Sequence, residues 1–211
     1  MELLEEISAN LQAGKAKIVR EKVQEAIDAG IPAADILNNG LMAGMNVIGQ
    51  KFKNNEVFVP EVLVAARAMN RGVELLKPLL VQSGTKPVGK ACIGTVQGDM
   101  HDIGKNLVRM MIEGKGFEVE DLGVDVSPEQ FVDYIQSNDV DIVCLSSLLT
   151  TTMPNIGVTI KAIEEAGLRD SVKIMIGGAP VTQAFADEVG ADAYTADAGS
   201  AAVRAVELVK A

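Results

Sequence analysis

The sequence is short of imidazole, indole and thiol. Its 211 residues include one histidine, no tryptophan and two cysteines, and aromatic residues make up 3%. A single histidine excludes any metal site or catalytic pair that needs two imidazoles from one chain. Cys92 and Cys144 lie far apart in apolar runs and form no CxxC pair, which fits reduced, buried thiols better than a disulfide framework. No apolar run approaches the ~20 residues of a membrane span, and the acidic start MELLEEISANL lacks a signal-peptide pattern. The expectation is a soluble, cytoplasmic protein with no membrane partner. Basic residues are also scarce: 19 Lys and Arg stand against 29 Asp and Glu, a formal net charge of −10. Nucleic-acid binding needs a concentrated positive surface, so that class of partner is excluded. Residues 1–82 hold 9 basic and 10 acidic residues, so most of the negative charge lies beyond them. The first reading of it is an ordinary solvated surface, and the sharper one is an acidic docking face for a protein partner.

What is present is a 48% hydrophobic complement, arranged with two different periods. Residues 1–82 read as helices. Leu4, Ile7 and Leu11 begin one stripe; Val19, Val23 and Ile27 form a second that stops at Gly30-Ile31-Pro32. Leu37, Leu41, Met45, Ile48 and Phe52 form a third, and the fourth opens at Pro60-Glu61 and runs to Leu80. Four amphipathic helices with short connections predict a small bundle. The segment 83–89, SGTKPVG, is a linker by composition. From 90 to 211 short apolar runs alternate with helical patterns: ACIGTV, FEVEDL, DIVCLS, VKIMIG and DAYT, each followed by a helix. Five such units predict an α/β domain, a doubly wound parallel five-stranded sheet of Rossmann-like, flavodoxin-like form.

Ligands of open α/β sheets bind at the carboxyl ends of the strands where strand order reverses. With the order 2-1-3-4-5, that point lies between the first and third strands. The loop after the first strand is Gln97-Gly98-Asp99-Met100-His101-Asp102-Ile103-Gly104, and the loop after the third runs from Ser146 to Thr152. The one histidine therefore falls where a ligand belongs. A phosphate-binding P-loop fails on spacing, because five residues separate Gly98 from Gly104 and Asn106 follows Lys105. The dinucleotide fingerprint G-x-G-x-x-G is absent, and a phospho-acceptor domain needs an Asp where Ser146-Ser147 stand. Two readings of His101 remain. It is a helix cap, or it is a metal ligand whose second nitrogen is fixed by Asp99, two residues away. One imidazole serves a bare ion poorly but suits a metal already held in a macrocycle.

Three motifs resemble, in order, the cobalamin-binding domain of methionine synthase and of the corrinoid proteins of anaerobic methyltransferase systems. They are D-x-H-x-x-G at Asp99-Met100-His101-Asp102-Ile103-Gly104, S-x-L at Ser146-Ser147-Leu148, and G-G at Gly177-Gly178. LMAGMNVIGQKF followed by VFVPEVLVAARAM is similar to the helical methyl-cap module of the same proteins. The resemblance implies a methyl-cap domain over 1–82 and a cobalamin-binding domain over 90–211, joined by the linker. It implies cobalamin or a related corrinoid as cofactor, with His101 as the lower axial ligand of cobalt. Gly98 through Gly104, Ser146, Leu148, Thr150, Gly177, Gly178 and Ala198 would hold the cofactor and its nucleotide tail. Phe52, Val59 and Val62 would cover its upper, methyl-bearing face.

The resemblance further implies a His101-Asp99-Thr152 relay that takes up a proton when the imidazole leaves cobalt on demethylation. It implies a corrinoid methyl carrier that is not catalytic alone. A substrate:corrinoid methyltransferase would load a methyl group onto cobalt(I) from methylamines, methanol, betaines or methoxylated aromatics. An acceptor methyltransferase would pass it to tetrahydrofolate or a thiol, and a reductive activator would complete the set of partners. Two other classes share parts of the pattern. A cobalamin-sensing module would carry a basic DNA-binding segment, and a mutase small subunit would not need the cap bundle.

Overall fold

The computed structural model describes residues 2–84 and 86–210; Thr85, within the expected linker 83–89, and both terminal residues lie outside them. The chain divides into two compact units, Met1–Pro87 with Gly114–Gly116, and Val88–Glu113 with Phe117–Ala211.

The first unit is helical. Helix α1 (Glu2–Gln12) buries Ile7 and Leu11, and α2 (Ala16–Asp28) buries Val19, Val23 and Ala26. The expected stripe ended on Ile27, which is only half-buried. A 3.6-residue turn drifts from a strict four-residue spacing, so the third inward position falls three residues on, at Ala26. Gly30 closes α2 in a left-handed conformation, φ 76°. The Ile31 N–H donates to the Ala26 carbonyl and the Gly30 N–H to Ile27, both near 3 Å, the bond pattern of a glycine-terminated helix.

The third expected helix is continuous from 33 to 53 but not uniformly α. It begins as α3 (Ala33–Asp35), passes through a π-helical stretch Ile36–Met42, and ends as α4 (Ala43–Lys53). Ile36 and Leu41, five apart, are both fully buried, whereas the expected Leu37 is half-buried. A π turn spans one residue more than an α turn, which moves the inward face by one position. Helix α5 (Val59–Gln82) starts with the Phe58 N–H donating to the Glu61 carboxylate at 3.0 Å. It retains Pro78 in its last turns, where few residues remain to be disrupted. Helix α5 packs along α2, and α1 packs on both α2 and α4.

The second unit is a parallel sheet of β1 (Lys90–Val96), β2 (Glu118–Val126), β3 (Ile142–Ser146), β4 (Lys173–Gly177) and β5 (Ala193–Tyr194). Its order is β2-β1-β3-β4-β5, every neighbouring pair parallel. Strand order therefore reverses at β1, beside β3, as the sequence pattern predicts. Helices α6 (Ile103–Glu113) and α10 (Ala198–Lys210) pack together on one face. Helices α7 (Pro128–Ser137) and α8 (Pro154–Glu165) pack together on the other, with α9 (Gln183–Val189) against α8. Phe131, Val143, Leu145, Ile156, Ile160 and Ile174 form the core under α7 and α8. Four of the five residues of β3 are buried, which explains its unbroken apolar run.

Local signals set the helix starts. Ser127 and Gln130 form a reciprocal capping box ahead of Pro128. The Thr182 hydroxyl accepts the Phe185 N–H at 3.2 Å, which sets the start of α9 at Gln183.

Candidate functional site

Two loops meet where β1 and β3 end side by side. The first, residues 97–102, leads from β1 into α6; the second, residues 147–153, leads from β3 into α8. Asp99 of the first loop is fully buried and forms the hub. Its Oδ2 accepts the Thr152 hydroxyl at 2.7 Å and the backbone N–H groups of Leu148 at 2.8 Å and Leu149 at 3.3 Å. Its Oδ1 accepts the His101 N–H at 3.1 Å and lies 2.7 Å from His101 Nδ1.

A buried carboxylate persists only when its lone pairs are satisfied. Burial pushes the Asp99 carboxyl up, but the Thr152 hydroxyl and the N–H groups of Leu148 and His101 outweigh it. They hold the group well below the usual carboxylate range. An ionised carboxylate is acceptor-only, so the short contact assigns the proton to Nδ1 of the ring. Nε2 takes no hydrogen bond from any described residue, and the His101 side chain is 50% exposed. A neutral ring in this tautomer offers Nε2 as a free lone pair.

The rest of the loop is tied down along its backbone. The buried Thr95 hydroxyl of β1 donates to the His101 carbonyl at 2.8 Å, and Asn155 Nδ2 donates to the Gln97 carbonyl at 2.7 Å. Asp102 opens α6: its carbonyl accepts the Asn106 N–H and its carboxylate accepts Asn106 Nδ2. Ser147, Thr95 and Asn155 brace the two loops, and the sequence did not single them out. Ser147 is fully buried, its hydroxyl 2.9 Å from Thr152 Oγ1 and 3.4 Å from Asp99 Oδ2. Its only signal was the doubled serine at the end of a buried strand.

The remaining candidates are placed less uniformly. Ser146 pairs with Gly177 across β3 and β4, and the Ser147 N–H donates to the Gly177 carbonyl at 3.1 Å. A Cβ on Gly177 would meet only the Thr195 carbonyl, at 3.8 Å, so the space beside it is open. A Cβ on Gly178 (φ 132°) would fall 1.8 Å from the Ser147 carbonyl. The missing side chain of Gly178 is therefore filled by the protein's own backbone. Thr150 is exposed and Ala198 is buried at the start of α10. In the helical unit Val62 is fully buried while Phe52 and Val59 are half-buried. Neither Thr150 nor Ala198 is hydrogen-bonded to the Asp99 hub.

Met100, Ile103, Leu148 and Leu149 are large apolar side chains with 68%, 78%, 43% and 41% exposure. Single exposed hydrophobes are ordinary, but four from two adjoining loop regions form a rim. Among the described residues no three His, Cys, Asp or Glu groups converge as a site for a bare ion. The buried thiols add nothing, since burial pushes Cys144 up to about 12 and Cys92 higher still. A lone imidazole with a free Nε2, in an apolar rim at the ligand end of the sheet, suits a metal that arrives in its own ring.

Comparison with known proteins agrees. Residues 89–207 match the model of a B12 binding domain, and residues 3–77 match a second model also described as a B12 binding domain. The chain belongs to the corrinoid, cobalamin-binding proteins of anaerobic methyltransferase systems. Among its corrinoid relatives is dimethylamine corrinoid protein 1 of Methanosarcina acetivorans, 43% identical over 99% of this chain and 98% of that protein. The trimethylamine corrinoid protein of Methanosarcina barkeri is 44% identical over 92% of this chain and 89% of the other. A chain in the crystal structure of the methanol:cobalamin methyltransferase complex MtaBC from M. barkeri superposes with a TM-score of 0.85. It is 30% identical over 99% of this chain and 80% of that one. A cobalamin-binding protein from Desulfitobacterium hafniense gives a TM-score of 0.79 at 29% identity, over 97% of this chain and 98% of its own.

A corrinoid protein takes cobalamin or a related corrinoid as its cofactor, and the residues present suit one. His101 offers a single ring nitrogen free of hydrogen bonds from the described residues, the rim offers apolar contact to a macrocycle, and the space beside Gly177 lies open at the end of β4.

Proposed function

We propose that this corrinoid protein is a methyl carrier between two methyltransferases, with methylamines as the methyl source. A substrate:corrinoid methyltransferase loads it, and an acceptor methyltransferase unloads it onto tetrahydrofolate or a thiol. A reductive activator restores carriers lost to oxidation. The methylamine assignment rests on the dimethylamine and trimethylamine corrinoid proteins that share over 40% identity with nearly the whole chain. When bound, the corrinoid supplies a cobalt centre that takes up and gives up a methyl group.

The chain's own residues do the rest. His101 would hold the cobalt through Nε2, its ring oriented by Asp99 at 2.7 Å. Asp99 stays ionised because Thr152 and the Leu148 N–H hold it. With Nε2 free of the metal, the adjacent Asp99 carboxylate would help hold a proton on that ring. Gly98, Met100, Asp102, Ile103 and Gly104 would shape the loop that presents His101 to the corrinoid. Ser146, Leu148, Thr150, Gly177, Gly178 and Ala198 would line the nucleotide tail. Phe52, Val59 and Val62 would exclude water from the bound corrinoid.

The observation that carries this reading is the buried, fully satisfied Asp99 fixing the tautomer of a half-exposed, otherwise unbonded imidazole. The test is reconstitution with cobalamin, low-potential reduction, and addition of dimethylamine or trimethylamine with its methyltransferase. The expected absorption change is from the cobalt(I) to the methylated spectrum. A protein that takes up no corrinoid overturns the reading. His101→Gln should retain the corrinoid but change its spectrum and its methyl-transfer rate; if both stay unchanged, His101 has no part in the chemistry.

A further inference from the structure

Strand β2 does not run evenly beside β1. Ile93 faces Asp121, Gly94 faces Gly123 and Val96 faces Val126, so β2 carries one extra residue in each of two successive intervals. Within this double bulge Gly123 and Asp125 adopt left-handed backbone, φ 95° and 52°. Bulges beside functional sites re-aim a side chain. A left-handed non-glycine residue persists only where its surroundings over-determine it.

For Asp125 those surroundings are the histidine loop. Its Oδ1 accepts the Gly98 N–H at 2.6 Å, and its own N–H donates to the Asp99 carbonyl at 2.9 Å. The Asp99 N–H in turn donates to the Val96 carbonyl at 3.1 Å. One residue of β2 thus grips the Gly98-Asp99 dipeptide at both ends. The bulge is itself anchored, since the Asp121 carboxylate accepts the Gly123 N–H at 3.0 Å and the ammonium of buried Lys105. Arg109 reaches the same carboxylate at 3.3 Å.

We propose that Asp125 is a positioning residue for His101. It fixes the backbone that carries Asp99, and through Asp99 the tautomer and direction of the imidazole. The proposal rests on His101 being the cobalt ligand, but the clamp can be measured without any cofactor.

His101 is the only histidine in the chain, so 15N-histidine labelling reads one ring. In the cofactor-free parent that ring should show the tautomer with the proton on Nδ1. Asp125→Gly keeps the left-handed backbone at no steric cost and removes only the carboxylate. It should speed exchange of the Gly98 amide by roughly tenfold, as expected for one lost hydrogen bond, and move the ring signals toward a mixture of tautomers. Asp125→Asn keeps an acceptor oxygen and tolerates the left-handed region, so it should restore both readings. In the loaded protein the Asp125→Gly spectrum should shift toward that of His101→Gln.

Three results overturn the clamp: parental ring signals and Gly98 exchange in Asp125→Gly, an Asp125→Asn variant as altered as Asp125→Gly, or exchange that quickens equally throughout β3 and α7. A loaded spectrum unaffected by His101→Gln overturns the ligand reading instead, and leaves the cofactor-free data to decide the clamp.

Discussion

The two units solve the problem of burial differently. Every polar or charged residue found fully or nearly buried among the described residues, Thr95, Asp99, Lys105, Ser147, Thr152 and Thr159, lies in the sheet unit. The helical unit buries only apolar side chains and glycines. A core of Leu, Ile, Val, Met and Ala is held by non-directional burial and tolerates rearrangement. A buried carboxylate is held by directed bonds and does not. Directed polar bonds fix the interior of the sheet unit, and apolar packing fills that of the helical unit.

The largest expected effect sharpens this contrast inside the sheet unit. Gly178→Ala places a methyl 1.8 Å from the Ser147 carbonyl at φ 132°. It should cost at least ~3 kcal/mol, as strain in an over-determined backbone does. Gly177→Ala meets nothing closer than 3.8 Å and should stay within about 1 kcal/mol of the parent. Denaturant midpoints measure both. Equal losses would break the distinction between the two glycines.

Leu76→Ala probes the other unit. Leu76 is fully buried in α5, and the truncation should cost about 2–4 kcal/mol. The His101 ring signals should be unmoved, and a shift in them would show that the helical core takes part in setting the site.

Thr152→Val is the polar counterpart, at about 1–2 kcal/mol, measured in the same denaturant series. It removes the hydroxyl that accounts for the strongest of the bonds lowering the Asp99 carboxyl. Unlike Leu76→Ala, it should alter the His101 ring signals in the cofactor-free protein.

The smallest effect is in pH. Burial raises the Asp121 carboxyl, yet Lys105, the Gly123 N–H and Arg109 bring it below its ordinary value. A depressed folded value contributes stability above the unfolded value near ~3.9, and that stability is lost as pH falls through the folded one. Lys105→Met should reduce the depression. The variant should be less stable at pH 7, and its stability should fall less steeply between roughly pH 5 and 2. A parental slope in that range would remove the buried pair from the acid response.

Much of this was legible in local pattern. The switch from period 3.6 to short apolar runs separated helical from α/β segments, and the order of strands and helices led to the 2-1-3-4-5 sheet. Where the reading slipped, it slipped by one residue: Ala26 for Ile27, Ile36 for Leu37. The first came from turn drift and the second from the π-helical stretch, neither of which leaves a mark in composition. In the site, Asp99, His101 and Thr152 stood out through motif and resemblance. Ser147, Thr95 and Asn155 did not, because a hydroxyl or amide becomes a site residue only by what stands opposite it.

By itself, the sequence determined that no second imidazole exists, that the two cysteines form no CxxC pair, and that the one histidine stands two residues after an aspartate. Those are facts of composition and order. Only the tertiary structure decided that Thr152, 53 positions along the chain, meets Asp99 at 2.7 Å, and that a left-handed Asp125 grips the same loop from β2. Hydrogen bonds are short-ranged and directional, so residues far apart in sequence acquire a joint role only when a fold brings them within 3 Å.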